Sequence, residues 1–204
     1  MRTQVLVGVF MVAMLVGAGS PTSPAVADTR VPSQPAAPPG SSPKSAVQEF
    51  CRLDGEGGQL TEEGWRAIAS LFVAAGKRPD YRSPSSSSTV IVSTQRSIED
   101  VRLSDDGLAA TVSTMDSMFG VLDRGLARYT PTDRGGVGGL GIYRLTKTAT
   151  RGWRIDGPVP KASLTVETAI RELEALRSRT TDAELKRNAT QSLKVLRMLL
   201  RDKQ

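Results

Sequence analysis

The 204-residue chain contains no histidine. That one absence excludes Ser-His and Cys-His nucleophilic catalysis, histidine-ligated zinc and histidine-based pH switching. An enzyme built on this chain has to rely on Asp, Glu, Lys, Tyr or Ser. Cysteine is nearly as scarce. Cys51 stands alone, so no intramolecular disulfide forms and the core holds the fold unaided. Its place on one helical face with Ala46, Val47 and Phe50 predicts a small buried hydrophobe rather than a reactive thiol. Aromatic residues make up 4% of the chain, and no run of Lys and Arg occurs. The 27 basic and 21 acidic residues are interspersed, which describes a solvated surface and excludes a nucleic-acid face. Long hydrophobic runs are also missing. The most apolar stretch, Val5 to Val16, is about 12 residues, well short of the roughly 20 that a membrane-spanning helix needs.

That short stretch has another use. Arg2 precedes it, Gly17, Gly19, Ser20 and Pro21 follow it, and Ala25-Val26-Ala27 supplies a small-x-small cleavage site. This order is that of a secretory signal peptide spanning residues 1–27 and cut between Ala27 and Asp28. The expected product is exported, periplasmic or extracellular, with no stable membrane anchor. Loss of Arg2 with the signal lowers the formal net charge from +6 to +5. Residues 28–43 then read as a linker, because Pro32, Pro35, Pro38, Pro39 and Pro43 alternate with Ser, Ala and Gly and no apolar period is present.

Periodicity begins at Lys44. Lys44 to Asp54 reads as a helix ended by Gly55, Gly57 and Gly58. Thr61 caps a second helix with Glu62 and Glu63 in its first turn and an apolar stripe of Trp65, Ile68, Ala69 and Phe72. The period then changes to that of strands. Thr89 to Ser93 continues through Ile98, Val101 and Leu103, turns at Asp105-Asp106-Gly107 and returns from Leu108 to Met115. An irregular strand is expected between Phe119 and Tyr129, and further strands over Leu140 to Thr146 and Trp153 to Ile155, with Gly157-Pro158 stopping the sheet. Beyond it, residues 164–204 carry two helical stripes. One holds Val166, Ala169, Ile170, Leu173 and Leu176; the other, behind a cap at Asp182, holds Leu185, Ala189, Leu193, Leu196 and Leu200. Two such helices have no core of their own, so their leucines must face the domain or another protomer. Arg171, Arg177, Lys186, Arg187, Lys194 and Arg197 should then meet solvent.

Three motifs are present in letter only. Gly136-Val137-Gly138-Gly139-Leu140-Gly141 spells G-x-G-x-x-G, but a strand-like Ile142-Tyr143-Arg144-Leu145 follows where a dinucleotide site needs a helix. Asp54-Gly55-Glu56-Gly57-Gly58 lacks the glycine and the final carboxylate of a calcium loop, with Gln59 and Trp65 in their places. Asn188-Ala189-Thr190 is a glycosylation triplet inside an amphipathic helix. No cofactor and no metal is expected.

The blocks Ala46-Val47-Gln48-Glu49-Phe50, Leu60-Thr61-Glu62-Glu63-Gly64-Trp65, Gly107 to Val112 and Gly152-Trp153-Arg154-Ile155, in that order and spacing, resemble the nuclear transport factor 2-like superfamily, which includes the SnoaL-like polyketide cyclases and the ketosteroid isomerases. The resemblance covers about residues 44–158 and implies an exported bacterial member. The implied fold is α+β over residues 44–160, a cone-shaped curved antiparallel sheet covered by the N-terminal helices, here with a C-terminal two-helix extension. Such a fold encloses a pocket. A mainly apolar one is expected, lined by Trp65, Phe72, Met115, Phe119 and Tyr143. The isomerase-like members use a carboxylate base with oxyanion donors, for which Asp116, Tyr129 and Tyr143 have the right chemistry. No catalytic constellation is legible in the spacing. The leading expectation is therefore a non-enzymatic binding or interaction module whose partner is a small apolar ligand or a protein, a second copy of the chain included. An Asp/Tyr isomerase, dehydratase or cyclase and a structural cell-envelope protein are the alternatives.

Overall fold

Four helices and a seven-stranded mixed sheet make up the α+β structure, a computed structural model that describes residues 38–73, 89–132 and 137–201. The chain divides into two units, Met1–Pro35 and Ala36–Gln204, and all described residues belong to the second. The signal peptide, its Ala27–Asp28 cleavage site, the first ten residues of the linker and Gly136 lie outside the described residues.

Helix α1 (Pro43–Gly55) starts where Pro43 fits the first turn and Ser42 caps it. Ser42 Oγ accepts from Ser45 N–H at 3.0 Å, and Ser45 Oγ accepts from Ser42 N–H at 3.0 Å, so two otherwise orphaned donors are satisfied reciprocally. Of the linker, residues 38–43 are described, and two of them pack: Gly40 and Pro43 are buried, and the Gly40 carbonyl accepts from Trp153 N–H at 2.9 Å. A single 3-10 turn (Gly58–Leu60) leads to helix α2 (Glu62–Ala69), where Thr61 Oγ1 accepts from Gly64 N–H at 3.1 Å as the cap expected there.

The strands are β1 (Thr89–Ser93), β2 (Ser97–Leu103), β3 (Ala109–Asp123), β4 (Arg128–Pro131), β5 (Val137–Thr148), β6 (Gly152–Gly157) and β7 (Ser163–Thr165). The expected single strand from Thr89 to Leu103 is broken at residues 94–96. The reason is β3, which is 15 residues long and receives β2 along its first half and β1 along its second. On its other side it pairs with β5 and then β4. The irregular strand expected between Phe119 and Tyr129 is two pieces, the end of β3 and the start of β4.

One expectation needs correction. The sheet is mixed rather than antiparallel, and it is not a closed barrel: β7 follows Gly157-Pro158 and lies parallel to β1, with Leu164 opposite Val92. The C-terminal two-helix extension packs on the sheet. Helices α3 (Val166–Arg179) and α4 (Ala183–Arg201) supply Ala169, Leu173, Ala189, Leu193 and Leu196 to a core completed by Val90, Val92, Leu122, Tyr129 and Leu164 of the sheet. Of the two destinations open to the leucines, most reach their own sheet, and the six basic residues named above are exposed. Ser192 joins the layers: its Oγ accepts from Tyr129 N–H at 2.8 Å and donates to the Ala127 carbonyl at 3.0 Å. Asp182 Oδ1 caps α4 by accepting from Glu184 and Leu185 N–H at 2.7 and 3.1 Å.

A second core lies along the other half of β3. Ala46, Val47, Phe50 and Cys51 of α1 and Ile68 of α2 pack with Ala110, Val112, Tyr143, Leu145, Trp153 and Ile155. Residues 110, 112, 114, 120 and 122 of β3 are buried and alternate with half-buried or exposed ones, so one strand serves both cores.

Candidate functional site

Between the two cores lies a buried polar network. Asp54 closes the last turn of α1 and is fully buried. Four donors meet its carboxylate: Gln59 Nε2 at 2.7 Å and Ser163 N–H at 3.3 Å on Oδ1, and Ser163 Oγ and Arg96 Nη1, both at 2.8 Å, on Oδ2. Arg96, from the break between β1 and β2, also donates from Nε to Asp116 Oδ2 at 3.2 Å. One guanidinium thus holds two carboxylates, with its side chain 9% exposed and that of Asp116 14%.

The glycine-rich segment earns its place here. Gly139 of β5 stands opposite Asp116, and a Cβ on it would sit 2.5 Å from Asp116 Oδ1. Gly141 stands opposite Thr114, and its Cβ would sit 2.5 Å from Thr114 Oγ1. From Val137 onward the motif that looks like a phosphate loop is a strand, and its glycines leave room for polar groups on the neighbouring strand.

Burial raises the pKa of Asp54, and the charge of Arg96 with the hydrogen bonds of Ser163 and Gln59 pulls it back. All four of its contacts are donors, which fits the ionised carboxylate. Burial pulls Arg96 down, but the neighbouring Tyr143, Asp54, Cys51 and Asp116 outweigh it and hold the guanidinium charged. Burial pushes the Cys51 thiol up to about 11 against the pull of Arg96, so at neutral pH it is an inert thiol. Burial likewise raises Tyr143, opposed by Arg96.

The structure brings some of the expected site residues together and separates others. Tyr143 and Phe72 are core residues whose rings both contact Phe50, at centroid distances of 5.5 and 6.0 Å. Trp65 packs half-buried against the same cluster. Phe119 packs against the other core, with the tail helices. Met115 is 40% exposed, because it alternates with Thr114 and Asp116 and points to the opposite face of β3. The five therefore do not line one cavity. The acid-base set is gathered only in part: Tyr143 and Asp116 both lie beside Arg96, whereas Tyr129 belongs to the other core. The Tyr129 hydroxyl donates to the Phe119 carbonyl at 2.8 Å, the Tyr143 hydroxyl meets the Cys51 thiol, and Asp116 is held by Arg96.

Asp54, Arg96, Gln59 and Ser163 are the members that sequence reasoning misses. Arg96 carries the one usable signal, a charge in the Thr94-Gln95-Arg96 interruption of an otherwise alternating pattern. Nothing local pairs it with Asp54. Among the described residues no group of three metal-ligating side chains gathers, and no helix is long and apolar enough to cross a membrane. No family model, curated protein or solved structure matches the chain.

Proposed function

We propose that the protein is an exported, non-enzymatic binding or interaction module, related in fold to the nuclear transport factor 2-like superfamily. The single observation that carries the reading is the commitment of Asp116. A general base needs a carboxylate aimed at a reacting proton with an acid or oxyanion donor near by. Asp116 instead shares a guanidinium with a second buried carboxylate, and neither tyrosine hydroxyl bonds to it. The helix order and the long β3 flanked by two strands on each side support the fold reading. The parallel β7 and the integral tail are departures from that pattern.

The test is native mass spectrometry of protein recovered from its own host without denaturation. The expected species is a chain beginning at Asp28 and carrying a bound protein or apolar molecule. An isomerase or dehydratase activity on a panel of enolisable carbonyl compounds, lost in Asp116→Asn, overturns the reading.

A further inference from the structure

The tail helices do more than cover the sheet, because they leave a cavity against it. A space of about 320 Å³ lies between α3 and the far end of β3, at the small end of the range for ligand sites. Its floor is apolar: Leu60, Leu122 and Leu173 are buried, and Leu176 is half-buried. Its rim is charged, with Arg124 from the β3–β4 turn and Glu172 and Arg179 from α3. Two cations against one anion leave a net positive charge at the mouth.

The cation at the rim is only loosely held. Arg124 Nη2 meets Glu172 Oε2 at 3.5 Å, the longest ion pair in the described structure, and the two side chains are 25% and 44% exposed. A carboxylate brought to Arg124 in good geometry makes a shorter, charge-assisted bond than this one. Arg179 lies in the last turn of α3, where its charge is partly used against the negative end of the helix dipole, so Arg124 is the stronger partner. An apolar floor with a cation at the mouth fits a single apolar chain ending in a carboxylate. The volume suits a medium-length chain and excludes a two-chain lipid.

We propose that this cavity binds a medium-chain fatty carboxylate, with the chain on Leu122, Leu173 and Leu176 and the head group at Arg124. The proposal rests on the reading of the protein as a binding module and names its ligand class and place. Decanoate is titrated into the purified chain by calorimetry, with decanol as the uncharged control. One decanoate per chain is expected, bound at least tenfold more tightly than decanol, with a rise in melting temperature as ligand is added. Arg124→Gln is expected to weaken decanoate about tenfold while leaving decanol unchanged, and Leu176→Trp to fill the cavity and abolish both. Absence of saturable decanoate binding, equal affinity for decanol, or an unchanged decanoate affinity in Arg124→Gln overturns the proposal. The rim variant keeps the test decisive if Leu176→Trp does not fold. A protein that co-purifies with a partner yet ignores decanoate ends this proposal alone, whereas an Asp116-dependent activity ends the binding-module reading alone.

Discussion

Arg96 Nη1 donates to Asp54 Oδ2 at 2.8 Å across 42 residues of sequence, from a break between two strands to the last turn of a helix. Asp54 is wholly shut off from water and Arg96 almost so. The pair sits where the two halves of the core meet, and it ties α1 to the sheet there. Removing one partner of a buried pair leaves the other charge uncompensated. Arg96→Met should therefore cost about 3–5 kcal/mol. Asp116→Asn should cost less, about 1–2 kcal/mol, because that side chain is less deeply buried than Asp54 and keeps an acceptor for Arg96. The double variant Asp54→Asn/Arg96→Met should be more stable than Arg96→Met alone. Urea unfolding of the three proteins measures all of this, and an Arg96→Met as stable as the parent would show the pair to be idle.

Alkali should weaken the fold before it changes anything else. The Cys51 thiol rises from 9.0 to about 11 on burial, and burial also raises Tyr129 to about 12. Groups whose folded pKa is raised lose their protons first in the unfolded chain. Stability is thus fully present below pH 9 and falls as pH climbs towards 11, by ~2–3 kcal/mol for Cys51 alone. Urea midpoints measured from pH 8 to 11 should fall steadily, and Cys51→Ala should flatten the slope. The same burial predicts that iodoacetamide labels Cys51 in urea and not in the native protein.

The tail should prove inseparable from the sheet. Leu193 is buried in the core that also holds Val90, Leu122 and Tyr129, so Leu193→Ala should cost roughly 2–5 kcal/mol. Ser192→Ala leaves the Tyr129 N–H and the Ala127 carbonyl without their partner, at about 1–3 kcal/mol. Deletion of residues 164–204 also removes part of β7 and most of one core. It should give an aggregating chain without a cooperative melt; a soluble monomer of unchanged melting temperature would mean that the tail only decorates the domain.

Two glycines separate crowding from conformation. A Cβ at Gly120 would run into the Thr130 carbonyl and stand 2.7 Å from the Tyr129 hydroxyl, on backbone and a buried ring that cannot give way. Gly107 has φ +66° with nothing within 4 Å. Gly120→Ala should cost ~3 kcal/mol through overpacking, and Gly107→Ala only ~1 kcal/mol through left-handed strain. Equal losses, read from the same urea curves, would refute the distinction.

Much of the fold is legible before any coordinate is seen. Thr61 and Asp182 announce helix starts because a cap acts within three residues of itself. Asp105-Asp106-Gly107 announces its turn for the same reason, and the lack of histidine removes whole chemistries without any structure. The leucine spacing of the tail shows that a face must be buried. It does not say where, since a stripe at 3.6-residue period fits a sheet, a second copy or an interface equally well. Only the tertiary structure chose the sheet, and only it placed β7 parallel to β1 and set Asp54 against Arg96 and Gly139 against Asp116. Each of those contacts joins residues more than twenty positions apart. Their pairing depends on how the whole chain closes, and nothing in the local pattern around either partner carries that information.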